Sequence, residues 1–71
     1  MIRSEETNDG KYIVTKVGRI MPGPFGLDYC LYTIIVRGKD GTHCEMGRDL
    51  SMSDANELFE RLIKGEEAID E

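Results

Sequence analysis

The sequence has no tryptophan, one histidine, two cysteines and two prolines, and its nine bases are outnumbered by fourteen acids. Each scarcity excludes something. A net charge of −5 disfavours generic attraction to nucleic acid or anionic membrane, because both present phosphates that require a basic footprint. No apolar run approaches the ~20 residues needed to cross a bilayer. The opening Met1-Ile2-Arg3-Ser4-Glu5-Glu6 is polar and acidic and does not read as a signal peptide. Two cysteines are too few for a disulfide scaffold. Cys30 and Cys44 are expected to be reduced, small apolar side chains. A metal site built from Cys30, His43 and Cys44 is disfavoured. It offers three ligands where zinc takes four, and neighbours on a strand point to opposite faces.

Chemistry that needs a positioned acid and base is also poorly provided for. His43 is the only imidazole, and the glycine-containing stretch Gly38-Lys39-Asp40-Gly41 stands between two strand signals rather than before a helix, so it is no phosphate loop. The reading is a non-enzymatic protein with no cofactor and no metal: a protein-binding module or, alternatively, a structural subunit of a larger assembly.

What is present is the pattern of one small domain. Seventy-one residues bury only roughly 60% of the surface their unfolded chain exposes, so the core is thin. Residues 1–10 read as a flexible leader ending in a turn at Asn8-Asp9-Gly10. Residues 11–20 read as a first strand, with Lys16 and Arg19 suiting a sheet edge. Two prolines and two glycines make residues 21–26 a loop. Its Phe25 either folds back to plug the end of the core or, with Met21, forms an exposed anchor.

Residues 27–37 are the strongest strand signal. Cys30, Tyr32, Ile34 and Val36 share one face, and Tyr29, Leu31, Thr33, Ile35 and Arg37 the other. Asp40-Gly41 closes a hairpin onto a strand over 42–48, in a register placing Val36 opposite Cys44 and Ile34 opposite Met46.

A helix follows. Ser51 is its N-cap, Ala55, Leu58, Phe59, Leu62 and Ile63 form one apolar stripe, and Gly65 is the stop. Glu57 with Arg61 and Glu60 with Lys64 are spaced for ion pairs. Residues 66–71 are an acidic tail. The expected fold is α+β: a three-stranded antiparallel sheet in β-β-β-α order, with the helix on one face and a folded core over 11–65.

The charge is unevenly placed. Residues 1–53 hold seven acids and seven bases, whereas residues 54–71 hold seven acids and two bases. The whole −5 therefore belongs to the helix and tail, either as a solvated surface or as a field that favours a basic partner. One helix covers one sheet face, which leaves Tyr29, Leu31 and Ile35 as an apolar patch for a partner or for a second copy in a homodimer, unless the loop and leader cover it. The candidate partner-binding residues are Phe25, Tyr29, Leu31 and Ile35 as anchors, with Glu57, Glu60, Glu66, Glu67 and Asp70 as steering acids. The tail acids are expected to steer more than Glu57 and Glu60, which have Arg61 and Lys64 beside them.

The stretch Tyr32-Thr33-Ile34-Ile35-Val36, then Asp40-Gly41, Leu50-Ser51, Leu58-Phe59 and Leu62, in a short acidic chain, is similar to small phage-encoded inhibitors. Those are the acidic anti-CRISPR proteins and the phage inhibitors of uracil-DNA glycosylase. The resemblance is one of pattern over residues 12–71 and carries over no single residue. It implies a DNA mimic that occupies a nucleic-acid-binding surface of a protein, in the cytoplasm of a bacterial host. The junction Gly47-Arg48-Asp49-Leu50-Ser51-Met52-Ser53 also resembles that of single-strand DNA-binding domains of the positive-cofactor-four type. Here the chain departs from the pattern: it is acidic, it shows three strand signals instead of four, and its Tyr29 platform lacks a basic groove.

Overall fold

A computed structural model describes residues 1–69. Four strands, β1 (Ile2–Glu6), β2 (Tyr12–Met21), β3 (Tyr29–Gly38) and β4 (His43–Leu50), precede one helix, α1 (Met52–Lys64). The sheet is an antiparallel meander in the order β1-β2-β3-β4. The α+β class and the C-terminal helix are as the sequence led us to expect; the strand number is four, not three.

The extra strand is the segment expected to be a leader. Arg3 pairs with Lys16 and Glu5 with Val14, so these two long polar side chains stand on the helix-bearing face. The Arg3 guanidinium lies 5.0 Å from the centre of the Phe59 ring. A polar strand can thus cover an apolar ring, because the stem of an arginine packs while its head stays wet. Pairing with β1 makes β2 an interior strand rather than the expected edge, and Lys16 is accommodated by stacking over Tyr32 and donating to the Asn56 Oδ1 at 2.6 Å.

Two short turns use the same device. Asp9 Oδ1 accepts from the Thr7 hydroxyl (2.6 Å) and the Lys11 N–H (3.0 Å), and Asp40 Oδ1 accepts from the Thr42 hydroxyl (2.7 Å) and the Thr42 N–H (3.1 Å). Gly10 and Gly41 follow with positive φ, a backbone conformation that L side chains rarely adopt. The first turn also holds the helix, because the Asn8 N–H donates to the Ile63 carbonyl at 2.9 Å.

The helix begins as its sequence dictates: Ser51 accepts the Asp54 N–H. It ends at Gly65 in the left-handed region, with the Gly65 and Glu66 N–H groups closing on Leu62 and Arg61. Ala55, Phe59 and Leu62 are buried against Val14, Tyr32, Ile34 and Val36. Leu58 and Ile63 pack at the margin of that core.

The β3–β4 register departs from expectation in one respect. Val36 does face Cys44, but Ile34 faces Gly47, not Met46. Two irregularities in β4 shift the pairing, and Asp49 takes a positive φ of 55° beside the second. Gly47 makes the close approach possible, since a Cβ there would lie 2.7 Å from Leu50 Cδ1. Cys30 and Cys44 are free. Cys44 is level with Val36, six residues along β3 from Cys30, about 20 Å at the usual rise per residue.

Candidate protein-docking surface

β2 and β3 are each ten residues long, and their neighbours are shorter. The β1 pairing ends at Ile2 opposite Val17, and the β4 pairing ends at Leu50 opposite Tyr32. Beyond those rows, Arg19, Ile20 and Met21 pair with Leu31, Cys30 and Tyr29 as a ribbon with no third strand among the described residues. The ribbon and its loop extend the two inner strands beyond their neighbours, in a molecule measuring 44 × 22 × 18 Å. A free two-stranded ribbon is marginal in water. Here its root is braced on both sides: the Gly18 N–H donates to the Met1 carbonyl at 2.7 Å, and the Tyr32 ring lies across Gly18. Hydrogen bonding with the Cys30 thiol, followed by burial, pushes the Tyr32 phenol above its ordinary pKa.

The tip is apolar and exposed. Phe25 is 98% exposed, Leu27 73%, Ile20 71% and Tyr29 47%. Phe25 therefore does not plug the core, because the ribbon carries it away from the helix. Its backbone has φ 59° and ψ 25°, a left-handed conformation that a bulky residue rarely adopts. The turn is closed by the Leu27 N–H to the Pro24 carbonyl at 3.2 Å. Gly23 is required at its base, since a Cβ there would meet the Leu27 carbonyl oxygen at 2.1 Å.

The expected docking residues fall into separate groups. Leu31 and Ile35 lie on the sheet face opposite the helix, with Tyr29 continuing that face onto the ribbon. Glu57 and Glu60 are exposed on the helix, turned away from Ala55, Phe59 and Leu62 and so away from the sheet. The sheet lies between the two groups, and no flat partner can touch Ile35 and Glu57 together. Glu60 is 4.0 Å from Lys64 as expected, but Arg61 turns to Glu67 instead of Glu57. Glu67 is thus engaged rather than a free tail acid, Glu66 is exposed, and Asp70 lies outside the described residues.

Sequence reading missed the length difference between the inner and outer strands, which defines the ribbon. Gly18 was the available signal, a glycine in a β-branched strand marking where another group approaches closely.

At the opposite end of the molecule, Ile69 sits between two shallow clefts of about 320 and 480 Å³, both also bordered by Tyr12. Among the described residues no group of three His, Cys, Asp or Glu is placed to hold a metal ion, and no helix is long and apolar enough to cross a membrane. Comparison with protein-family models, with curated proteins and with solved structures finds no match.

Proposed function

We propose that the chain is a non-enzymatic protein-binding module that inserts its β2–β3 tip into an apolar recess of a partner with a basic surface. The observation that carries this reading is the Phe25 ring, fully exposed on a sharply defined turn at the end of a projecting ribbon. Rigid aromatic side chains of this kind are the usual anchors of interfaces. Acids are available in the half of the helix nearer the ribbon. α1 starts two residues after Leu50, which pairs with Tyr32 at the root of the ribbon, and Asp54 and Glu57 lie in its first turns. A partner that takes the tip and leans toward the helix meets these carboxylates. The finer reading, a small acidic inhibitor of phage or mobile-element type that occupies a nucleic-acid-binding surface, is supported by the concentration of net charge in residues 54–71, with Asp54 and Glu57 in the half of the helix nearer the ribbon and Glu66 and Glu67 at the far end.

The test is capture from a lysate of the source organism with immobilised wild type, Phe25→Asn and Glu57→Gln/Glu60→Gln. Asparagine tolerates the left-handed region, so the turn survives while the ring is lost. A specific protein should be retained by wild type and lost with Phe25→Asn. The doubly neutralised variant should retain it with slower, less salt-sensitive association. Recovery of the same protein with Phe25→Asn would refute the anchor. Tight binding of single-stranded DNA at low salt would favour the nucleic-acid reading instead.

A further inference from the structure

The sheet face opposite the helix carries a different pattern from the rest of the molecule. Its middle rows are apolar or hydroxylic, with Val17 beside Thr33 and Thr15 beside Ile35. Its charges are balanced: Glu6 stands in the row of Arg37 and His43, Glu45 in the row of Ile35, and Arg19 lies further along. Two of these are satisfied within the chain, Glu45 by Arg48 at 3.0 Å and Arg19 by Asp49 at 3.2 Å. A face meant for a basic partner would hold the acidic excess, and this one does not.

We propose that this face is the interface of a homodimer, closed by a second copy across a twofold axis parallel to the strands. Such an axis reverses the strand order, so β1 faces β4 of the other copy and β2 faces β3. The pairing is self-complementary row by row. Glu6 comes opposite the partner's His43, Thr15 opposite the partner's Ile35, and Met21 opposite the partner's Tyr29. Glu6 and Glu45 occupy different rows, so no acid is brought level with an acid. At the usual strand spacing and rise, the sheet footprint is about 500 Å² per copy. The two copies together reach about 1,000 Å², the lower bound for a specific interface, before side-chain relief is added. Two packed sheets also relieve the thin single core. The parallel axis sends both ribbons out of the same end, leaving the two Phe25 rings free. The dimer does not depend on what the tips bind.

Sedimentation equilibrium decides the matter. Wild type should show twice the 8.0 kDa chain mass in a concentration-dependent equilibrium. Ile35→Asp should be monomeric with its helical circular dichroism retained. His43 is exposed, so His43→Glu leaves folding intact but sets a carboxylate against the partner's Glu6 at two symmetric points. It should weaken dimerisation by about tenfold or more, and Glu6→Lys/His43→Glu should restore it. Wild type that stays monomeric up to its solubility limit overturns the proposal. So does a dimer as tight in His43→Glu as in wild type. Neither result bears on the capture experiment, which reads a foreign protein and a residue outside this face.

Discussion

The ring of Tyr32 occupies the space that a side chain at position 18 would need: a Cβ on Gly18 would sit 2.8 Å from Tyr32 Cε1 and 3.3 Å from Cys30 Sγ. Tyr32 is held from the other side by the core and by Lys16 stacked over its ring. It has little room to retreat. Gly18→Ala should therefore destabilise the fold by about 1–3 kcal/mol, the usual penalty for overfilling a packed site, despite alanine's lower conformational entropy in the unfolded chain. A urea midpoint equal to or above that of wild type would show that the ring moves freely and that the ribbon root is soft.

Phe59 is the largest fully buried side chain and meets both layers. Two cations, Arg3 and Lys16, lie within 5.8 Å of its ring centre. Phe59→Ala should cost about 3–5 kcal/mol. A chain of this size has a total stability of similar magnitude, so the variant should be largely unfolded at 25 °C by circular dichroism. Phe59→Leu keeps most of the volume and should remain folded with a lower melting temperature. A folded Phe59→Ala with an unchanged melting point would contradict the packing of helix on sheet.

The contrast between these two residues shows what the sequence discloses. Phe59 belongs to a 3.6-residue stripe with a serine cap before it and a glycine stop after it, three signals in agreement. The alternation in residues 27–37 likewise separates the two sheet faces correctly. β1 has no such alternation. Its core-side residues are Arg3 and Glu5, and only the stacking of Arg3 on Phe59, with Glu5 paired to Arg3, explains why they stand there. The β4 irregularities are hidden for a related reason: they depend on Gly47 fitting beneath Leu50 and Leu58, which strand propensity does not report. Composition could not say whether Phe25 lies in or out, because that depends on how far β2 and β3 outrun their neighbours.

The paired turn aspartates predict a pH dependence. Hydrogen bonds from Thr7 and from the Lys11 N–H hold Asp9 below the ordinary aspartate value of 3.8, and hydrogen bonds from the Thr42 hydroxyl and N–H do the same for Asp40. A carboxylate whose pKa is lower in the folded than in the unfolded chain stabilises the fold above the unfolded value. That contribution is lost as pH falls through the folded value. Asp9→Asn/Asp40→Asn should thus be less stable than wild type at neutral pH, and the gap should narrow below about pH 4. Urea midpoints for both proteins at pH 7 and at pH 3 read the effect. A gap that stays constant or widens on acidification would mean that the carboxylates are not what the turns use.

The sequence presents residues 66–71 as an acidic tail. Glu67 pairs with Arg61, and Ile69 packs against the core beside Tyr12. Ile69 borders both clefts at the end opposite the ribbon, so it covers apolar surface that includes Val36 and Leu62. A protein cut after Gly65 loses this half-buried isoleucine and the Glu66 N–H bond to the Arg61 carbonyl as well as the acids, and should be about 1–2 kcal/mol less stable. Salt separates the two contributions. An ion pair half open to solvent weakens with ionic strength, whereas apolar burial does not. Most of the loss should therefore persist in high salt. Ile69→Ser in the full chain should reproduce the larger share, and Glu67→Gln the smaller. If the truncated protein melts at the wild-type temperature, residues 66–71 contribute only charge. In that case any change in partner association on truncation could be assigned to steering alone.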